Sequence, residues 1–231
     1  MVSLSVIIPA YNEASYINEM LVSLEKQTFR DFEIIVKDGE SSDRTVEVAE
    51  RHADKIASSK DVSVSEARNK GARYASGTIL VFVDADTMLP PNMLQRIVDL
   101  MENEDIVGGS CRKIPGSRNV FDRMVYEFVN ISTFLSSYLH IGGAHGNCMF
   151  IRKDIFEKIG GFNPRIQIAE EQELVRKAMK YGRFFFFLDQ CVIEHPRRIQ
   201  KWGRLKLHTT WLKGTLQSFR VHEDQTYEKV R

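Results

Sequence analysis

Three groups of side chains in this 231-residue sequence have the types and spacing that chemistry needs. The first is Asp84-Ala85-Asp86, which ends the apolar run Ile79 to Val83. Two carboxylates separated by one residue can hold a divalent cation through one or both, leaving its other positions for phosphate oxygens and water. A solvated acidic turn is the competing reading, because aspartate is a common turn former. The second group is Glu170, Glu171 and Glu173 at the head of a helical pattern, where the helix dipole by itself favours acids. The third is the stretch from Arg197 to Arg220, which carries seven Lys or Arg and no acid and follows His195. Its cations read either as a solvated helix face or as a surface for an anionic ligand or membrane. Trp202, Leu205, Leu207, Trp211, Leu212, Leu216 and Phe219 add apolar area beside them.

The elements that must position these groups follow from hydrophobic pattern. Ile79 to Val83 shows no alternation, so both faces of the strand should be covered, as in a parallel sheet between helices. In such sheets ligands bind beyond the carboxyl ends of the strands, which puts Asp84 and Asp86 at the mouth of a site. Leu4 to Pro9 followed by a helix with Ile17, Met20, Leu21 and Leu24 on one face, and Phe32 to Val36 followed by a polar loop and a helix from Thr45 to Ala53, are successive βα units. Asn12 is placed as the N-cap of the first helix. Ser63 to Glu66 is a capping box for a helix through Ala75 whose Ala67, Gly71, Ala72 and Ala75 allow close packing. Pro90-Pro91-Asn92 starts a helix with Leu94, Ile97, Val98 and Met101 inward.

After Ile106 to Cys111 the alternation fades. Phe121 to Leu139 is a long helical pattern, with Phe121, Val125, Phe128, Val129, Ser132, Leu135 and Leu139 read as a face packing inward; an exposed lid for a lipid or partner is the other reading. A glycine-rich loop, Gly142 to Cys148, leads into a strand, and Ile155 to Ile159 forms a short helix closed by Gly160-Gly161. The helix after Glu170 carries Leu174, Ala178 and Tyr181 on one side, and Phe184 to Leu188 with Val192-Ile193 reads as a strand pair.

Length bounds the chain to one sizeable core. With 32 basic and 31 acidic residues the net charge is +1, which argues against a general nucleic-acid binder. Cys111, Cys148 and Cys191 are odd in number and widely spaced, fitting reduced thiols and a cytoplasmic location. No apolar run reaches membrane-spanning length, so contact with a membrane would be peripheral, at the inner face of the cell membrane.

Five motifs in order resemble inverting family 2 glycosyltransferases of the GT-A fold: Val6 to Glu13, Val36 to Asp43, Ala67-Arg68-Asn69 leading to Asp84-Ala85-Asp86, Arg152 to Phe162, and Ala169-Glu170-Glu171. The resemblance, which covers roughly residues 4 to 196, implies an α/β, Rossmann-like, mostly parallel sheet flanked by helices, forming a GT-A domain over residues 1–196; the remainder, 197–231, is read from its own residues as a basic amphipathic helical tail packed on that domain or extending from it. It implies a nucleotide loop at Pro9, Ala10, Tyr11 and Glu13, with Tyr11 as an aromatic surface and Glu13 toward the ribose; without the resemblance, loop packing and helix capping would be the preferred reading of both. Asp38 would accept from a ring N–H, Arg68 would reach a phosphate or form a salt bridge, and Asp84 and Ala85 would contact the sugar or ribose. Asp86 would hold Mn²⁺ or Mg²⁺, with His195 completing the metal shell or touching the diphosphate. Glu171 would be the general base and Glu170 its orienting partner. Gly143, Arg197, Arg198 and Trp202 are candidate acceptor or diphosphate contacts.

The chain departs from the family pattern in three places. Lys37-Asp38-Gly39-Glu40 replaces adjacent aspartates, the acidic pair is Glu-Glu instead of Glu-Asp, and a Gln-x-x-Arg-Trp motif has only the loose echo Arg198 to Trp202. The expected activity is therefore transfer of one sugar at a time, with UDP favoured over GDP, to a hydroxyl or phosphate acceptor that is plausibly lipid-linked. The competing readings are a sugar-phosphate nucleotidyltransferase, whose glycine-rich basic first loop is missing here, and a peripheral membrane adaptor on an inactive transferase scaffold. A dinucleotide dehydrogenase is disfavoured because no Gly-x-Gly-x-x-Gly follows the first strand.

Overall fold

In chain order the elements are β1 Leu4–Ala10, α1 Ile17–Glu25, β2 Phe32–Asp38, α2 Thr45–Ala49, β3 Lys55–Ser58, α3 Val64–Ala72, β4 Ile79–Val83, β5 Thr87–Met88, α4 Met93–Met101, β6 Ile106–Pro115, α5 Val120–Tyr138, β7 Cys148–Arg152, α6 Lys153–Lys158, α7 Glu170–Ala178 and β8 Arg183–Glu194. They come from a computed structural model that describes residues 3–166 and 169–197, together with Gly203 and Thr209.

The strands form one sheet in the order β3-β2-β1-β4-β7-β6-β8-β5. The first four are parallel, β7 runs antiparallel between β4 and β6, and β6 and β8 pair in parallel. Both faces of the parallel half are covered, which is why Ile79 to Val83 lacks alternation. On one face Val6, Ile8, Val81 and Val83 pack with Met20, Leu21, Leu94 and Ile97 of α1 and α4. On the other, Ile7, Ile35, Leu80 and Phe82 meet Ala72, Phe156, Leu174 and Val175 from α3, α6 and α7. Gly71 lets α3 lie against β1, since a Cβ there would come within 2.6 Å of the Ile7 side chain.

Ser63 caps α3 as expected, its Oγ accepting from the Glu66 amide at 3.2 Å, while Glu66 reaches back to the Val62 amide at 2.7 Å. Asn12 does not cap α1. It takes a left-handed φ of 56° in the turn between β1 and the helix, and its Oδ1 accepts from the Ser42 amide instead. The Phe184–Ile193 region is not a strand pair but the single strand β8. Its register against β6 jumps after Phe187, so that Cys111 pairs with Phe187 and Arg112 with Cys191. Tyr181 lies past the end of α7 and is exposed.

The largest correction concerns α5. The helix exists almost where the pattern puts it, but the face read as inward is outward: Phe121, Phe128, Leu135 and Leu139 are exposed. Asp122, Tyr126, Asn130, Thr133 and Ser137 point inward instead. Those polar groups find partners. Asn130 imitates a neighbouring strand, accepting from the Lys113 amide at 3.1 Å and donating to the Lys113 carbonyl at 2.9 Å, and Ser137 donates to the Phe184 carbonyl at 3.1 Å. A buried polar face is tolerable only when hydrogen-bonded in this way.

Candidate active site

The carboxyl ends of β1, β2 and β4 open on one side of the sheet, and the loops after them build a platform. Gly39 donates to the Ala10 carbonyl at 2.8 Å, Asn12 donates to Ser41 Oγ at 2.9 Å, and Glu13 donates to Thr45 Oγ1 at 2.8 Å. Pro9 and Ala10 close β1, and the exposed Tyr11 ring stands beside Gly39, where a Cβ would touch its Cδ2 at 3.2 Å. Asp38 is buried and accepts from the Glu40 and Ser41 amides at 3.0 and 3.1 Å, so its carboxylate shapes this loop. Lys37 points the other way and is buried, donating to the Asp38 and Ser59 carbonyls and to Asp61 at 2.7, 2.8 and 2.5 Å. The lysine that replaces an aspartate therefore ties β2 to the chain after β3.

One residue joins the two acidic motifs. Arg68 of α3 is buried and donates from Nη2 to Asp84 and from Nη1 to Glu170, both at 2.9 Å, although these lie 16 and 102 positions away along the chain. It also donates to the Gly146 carbonyl at 2.8 Å. Burial works against its charge, but Asp84, Glu170 and Glu171 outweigh that and hold it protonated. These contacts are the salt bridge that the sequence allowed for Arg68.

Glu170 and Glu171 open α7 behind Ala169, whose left-handed φ of 61° turns the chain into the helix. Withdrawal from water, reinforced by neighbouring Glu170, pushes the Glu171 carboxyl up to about 8, with Arg68 and Lys113 pulling the other way. A carboxylate poised near neutral pH is suited to taking a proton. Gly143 lies on the same side with φ of 116°, donating to Gln172 Oε1 at 2.5 Å, and Gln172 Nε2 donates to the Ala144 carbonyl at 2.9 Å.

The loop from Asp84 to Asp86 is held at both ends. Asp84 donates to the Asn147 carbonyl at 3.3 Å, and His195 donates to the Asp86 carbonyl at 2.9 Å where β5 pairs with β8. Asp84 is partly exposed, whereas Ala85 and Asp86 are buried. Arg197, just past β8, has its Nε 2.5 Å from Asp86 Oδ2, its Nη1 on Glu13, and its guanidinium over the Tyr16 ring at 5.3 Å. Burial raises the Glu13 carboxyl, Arg197 restrains it, and Asp86 and Asp84 push it up further.

Among the described residues, no three His, Cys, Asp or Glu side chains gather as a metal cage. A cation that draws most of its ligands from phosphates and water does not need one. Asp86 already faces a positive group, and Nδ1 of neighbouring His195 is buried with no hydrogen-bond partner among the described residues. An acid-rich mouth with an orphaned imidazole nitrogen fits a divalent cation there. Arg198 and Trp202 lie outside the described residues.

A model described as glycosyl transferase family 2 matches residues 5–160, from β1 through α6, and ends before Ala169-Glu170-Glu171. The chain belongs to that family. An uncharacterized glycosyltransferase, EpsJ, of Bacillus subtilis strain 168 is 30% identical over 202 residues, covering 80% of this chain, which spans only 58% of that relative's length. Glycosyltransferase AglE of Haloferax volcanii is 28% identical over 205 residues, covering 84% of this chain and 67% of its own. Two solved structures share the GT-A fold with this family 2 chain. Residues 1–349 of S. aureus TarS, in complex with UDP-GlcNAc, superpose with a TM-score of 0.68 at 21% identity, covering 84% of this chain and 58% of that one. The mannosyltransferase PcManGT from Pyrobaculum calidifontis, with GDP-Man and Mn²⁺, gives 0.70 at 23% identity, covering 92% and 64%.

Two features were not foreseen from the sequence. His145 is buried, its Nε2 3.1 Å from Asn130 Oδ1, and burial together with the Lys113 charge holds its imidazole well below the usual range, so it is neutral. Lys113 itself lies 3.6 Å from Glu194 and over the Tyr126 ring at 5.5 Å. The only hint in the sequence was Asn130, an amide inside an apolar helical pattern.

Proposed function

We propose that the chain is a metal-dependent inverting glycosyltransferase that moves one sugar from a nucleotide-diphosphate sugar, UDP-linked in preference to GDP-linked, to an acceptor hydroxyl or phosphate, with Glu171 as general base. The observation that carries this reading is Arg68, whose guanidinium joins Asp84, after β4, to Glu170, at the head of α7. The platform of Tyr11, Glu13 and the Asp38 loop would take the base and ribose. Mn²⁺ or Mg²⁺ would be held at Asp86 with His195, and when bound it would neutralise charge developing on the departing diphosphate.

Inversion is favoured by the pairing of the carboxylates. A double displacement needs an acid free to attack carbon, and both Asp84 and Glu170 are engaged by Arg68. Glu171 is left to remove the acceptor proton, in its deprotonated form. Residues 1–196 would supply this chemistry; of the expected tail, 197–231, all but Arg197, Gly203 and Thr209 lie outside the described residues.

Transfer of label from radiolabelled UDP- and GDP-sugars to acceptor, with Mn²⁺ or Mg²⁺, tests the reading. Asp86→Ala and Glu171→Gln should each lower transfer by about a hundredfold or more, and full activity in either would remove the role assigned to that residue. Release of pyrophosphate instead would indicate a nucleotidyltransferase, and nucleotide binding without transfer an inactive scaffold.

A further inference from the structure

Helix α5 sorts its side chains backwards for a surface helix in water. Its 19 residues span about 28 Å. Phe121, Met124, Phe128, Ile131, Leu135 and Tyr138 form one stripe and are 56, 64, 59, 57, 48 and 73% exposed, while Asp122, Asn130, Thr133 and Ser137 face the sheet and Arg123 is exposed. An apolar stripe of this length is not explained by the fold that carries it, because each polar anchor beneath is already satisfied.

Two observations select the occupant. The first is charge. The Gly116 amide donates to the Glu194 carbonyl at 2.8 Å, so β8 ends beside the start of α5; in the sequence, past Arg197, which Asp86 and Glu13 engage, the stretch Arg198 to Arg220 carries six cations and no acid. An exposed apolar helix face in a chain whose sequence also carries a dense cationic run matches an anionic lipid surface. The second is what flanks the stripe. Helix pairing between two copies would use charged residues along the seam, but these positions are Val120, Val125, Ser132, Phe134 and Leu139 with one charge, Glu127, and Glu127 is paired to Arg112. Val120 and Leu139 are themselves exposed, making the face broader than a seam. Among the described residues no helix is long and apolar enough to cross a membrane, so the contact is in the plane of the surface.

We propose that α5 is a membrane-docking element that lays its Phe121-to-Tyr138 face into the headgroup region of an anionic bilayer. The docked helix would hold the crevice at the lipid surface, because Gly143 packs on Thr133 and Ser137 at the end of α5 and donates to Gln172, the neighbour of Glu171. On the transferase reading, and resting on it, the acceptor is then lipid-borne. Docking itself does not depend on that chemistry.

The full chain is to be sedimented with phosphatidylcholine vesicles, with and without phosphatidylglycerol. Binding should require the anionic lipid, and Phe128→Glu combined with Ile131→Glu should weaken it by roughly tenfold or more, with UDP binding and the melting curve unchanged. A nitroxide on Phe128→Cys should gain contact with dissolved oxygen when vesicles are added. Glu171→Gln should bind vesicles as the wild type does, which separates a failure of docking from a failure of transfer. Wild-type protein that ignores anionic vesicles, a double variant that binds them undiminished, or a double variant that merely turns a dimer into a monomer would each overturn the proposal.

Discussion

Glu33 and Glu171 are both carboxylates drawn into the protein, and they behave in opposite ways. Glu33, in β2 near the amino ends of the strands, receives Ser5 Oγ at 2.6 Å, Lys55 Nζ at 2.7 Å, and the Ser76 amide and hydroxyl at 2.6 and 2.7 Å. Burial would raise its pKa, but these donors override it and bring it down to about 2. Glu171, at the carboxyl side, has another carboxylate beside it, and burial then raises it to about 8. The same scaffold spends its donors on one acid to fix structure and withholds them from the other, which leaves a group able to exchange a proton.

The sharpest test of that contrast is Glu171→Gln. Transfer should fall by roughly 10²–10⁴, the usual contribution of a general base, and wild-type activity should climb with pH toward about 8 as Glu171 loses its proton. Stability should respond in the reverse sense. A raised folded-state pKa stabilises below the ordinary value of 4.5, and that contribution is lost as pH rises through about 8. The glutamine variant should therefore gain in melting temperature over wild type between pH 5 and pH 9, and a constant difference across that range would contradict a Glu171 protonated in the folded state.

Next in size is Arg68→Met. Removing the buried guanidinium leaves Asp84 and Glu170 without it, at a cost of about 3–5 kcal/mol in urea unfolding. Because Arg68 also pulls Glu171 down, the remaining activity should shift to more alkaline pH. A smaller effect belongs to Glu33→Gln, expected to lose about 2–3 kcal/mol at pH 7. A lowered folded-state pKa stabilises above 4.5 and is lost as pH falls through about 2, so the variant and wild type should converge in acid.

How much of this was legible depends on whether a feature is local. The first βα units and the place of Asp84 and Asp86 could be read because a strand covered on both faces loses its alternation, and a ligand site follows at its carboxyl end. The direction of α5 could not. Periodicity says that a helix has two faces, but which one turns inward was decided by Asn130 meeting Lys113 and Ser137 meeting Phe184, contacts set by how β6 and β8 pair. Residues within β8 were legible as strand formers, yet the slip after Phe187 made one long strand out of two apparent ones. Glu170 and Glu171 could be nominated, but the tie through Arg68 that brings them to Asp84 is a tertiary fact.

The smallest predicted effect asks whether the acids at the site mouth differ from Glu33 in the permanence of their partner. Glu33 is served by Lys55 from the next strand and by Ser5 and Ser76, all within the sheet and the turn beneath it. Asp86 and Glu13 instead share Arg197, a side chain past the end of the last strand. If Arg197 stands where a divalent cation would sit, the two compete, and Arg197→Ala should bind Mn²⁺ about tenfold more tightly without nucleotide, a gain of about 1.4 kcal/mol. Titration of the free-ion Mn²⁺ resonance signal measures this without reference to turnover. Unchanged or weaker binding would mean that Arg197 is a fixed partner of Asp86, as Lys55 is of Glu33, and the mouth would then resemble the structural end of the sheet more than a cation site.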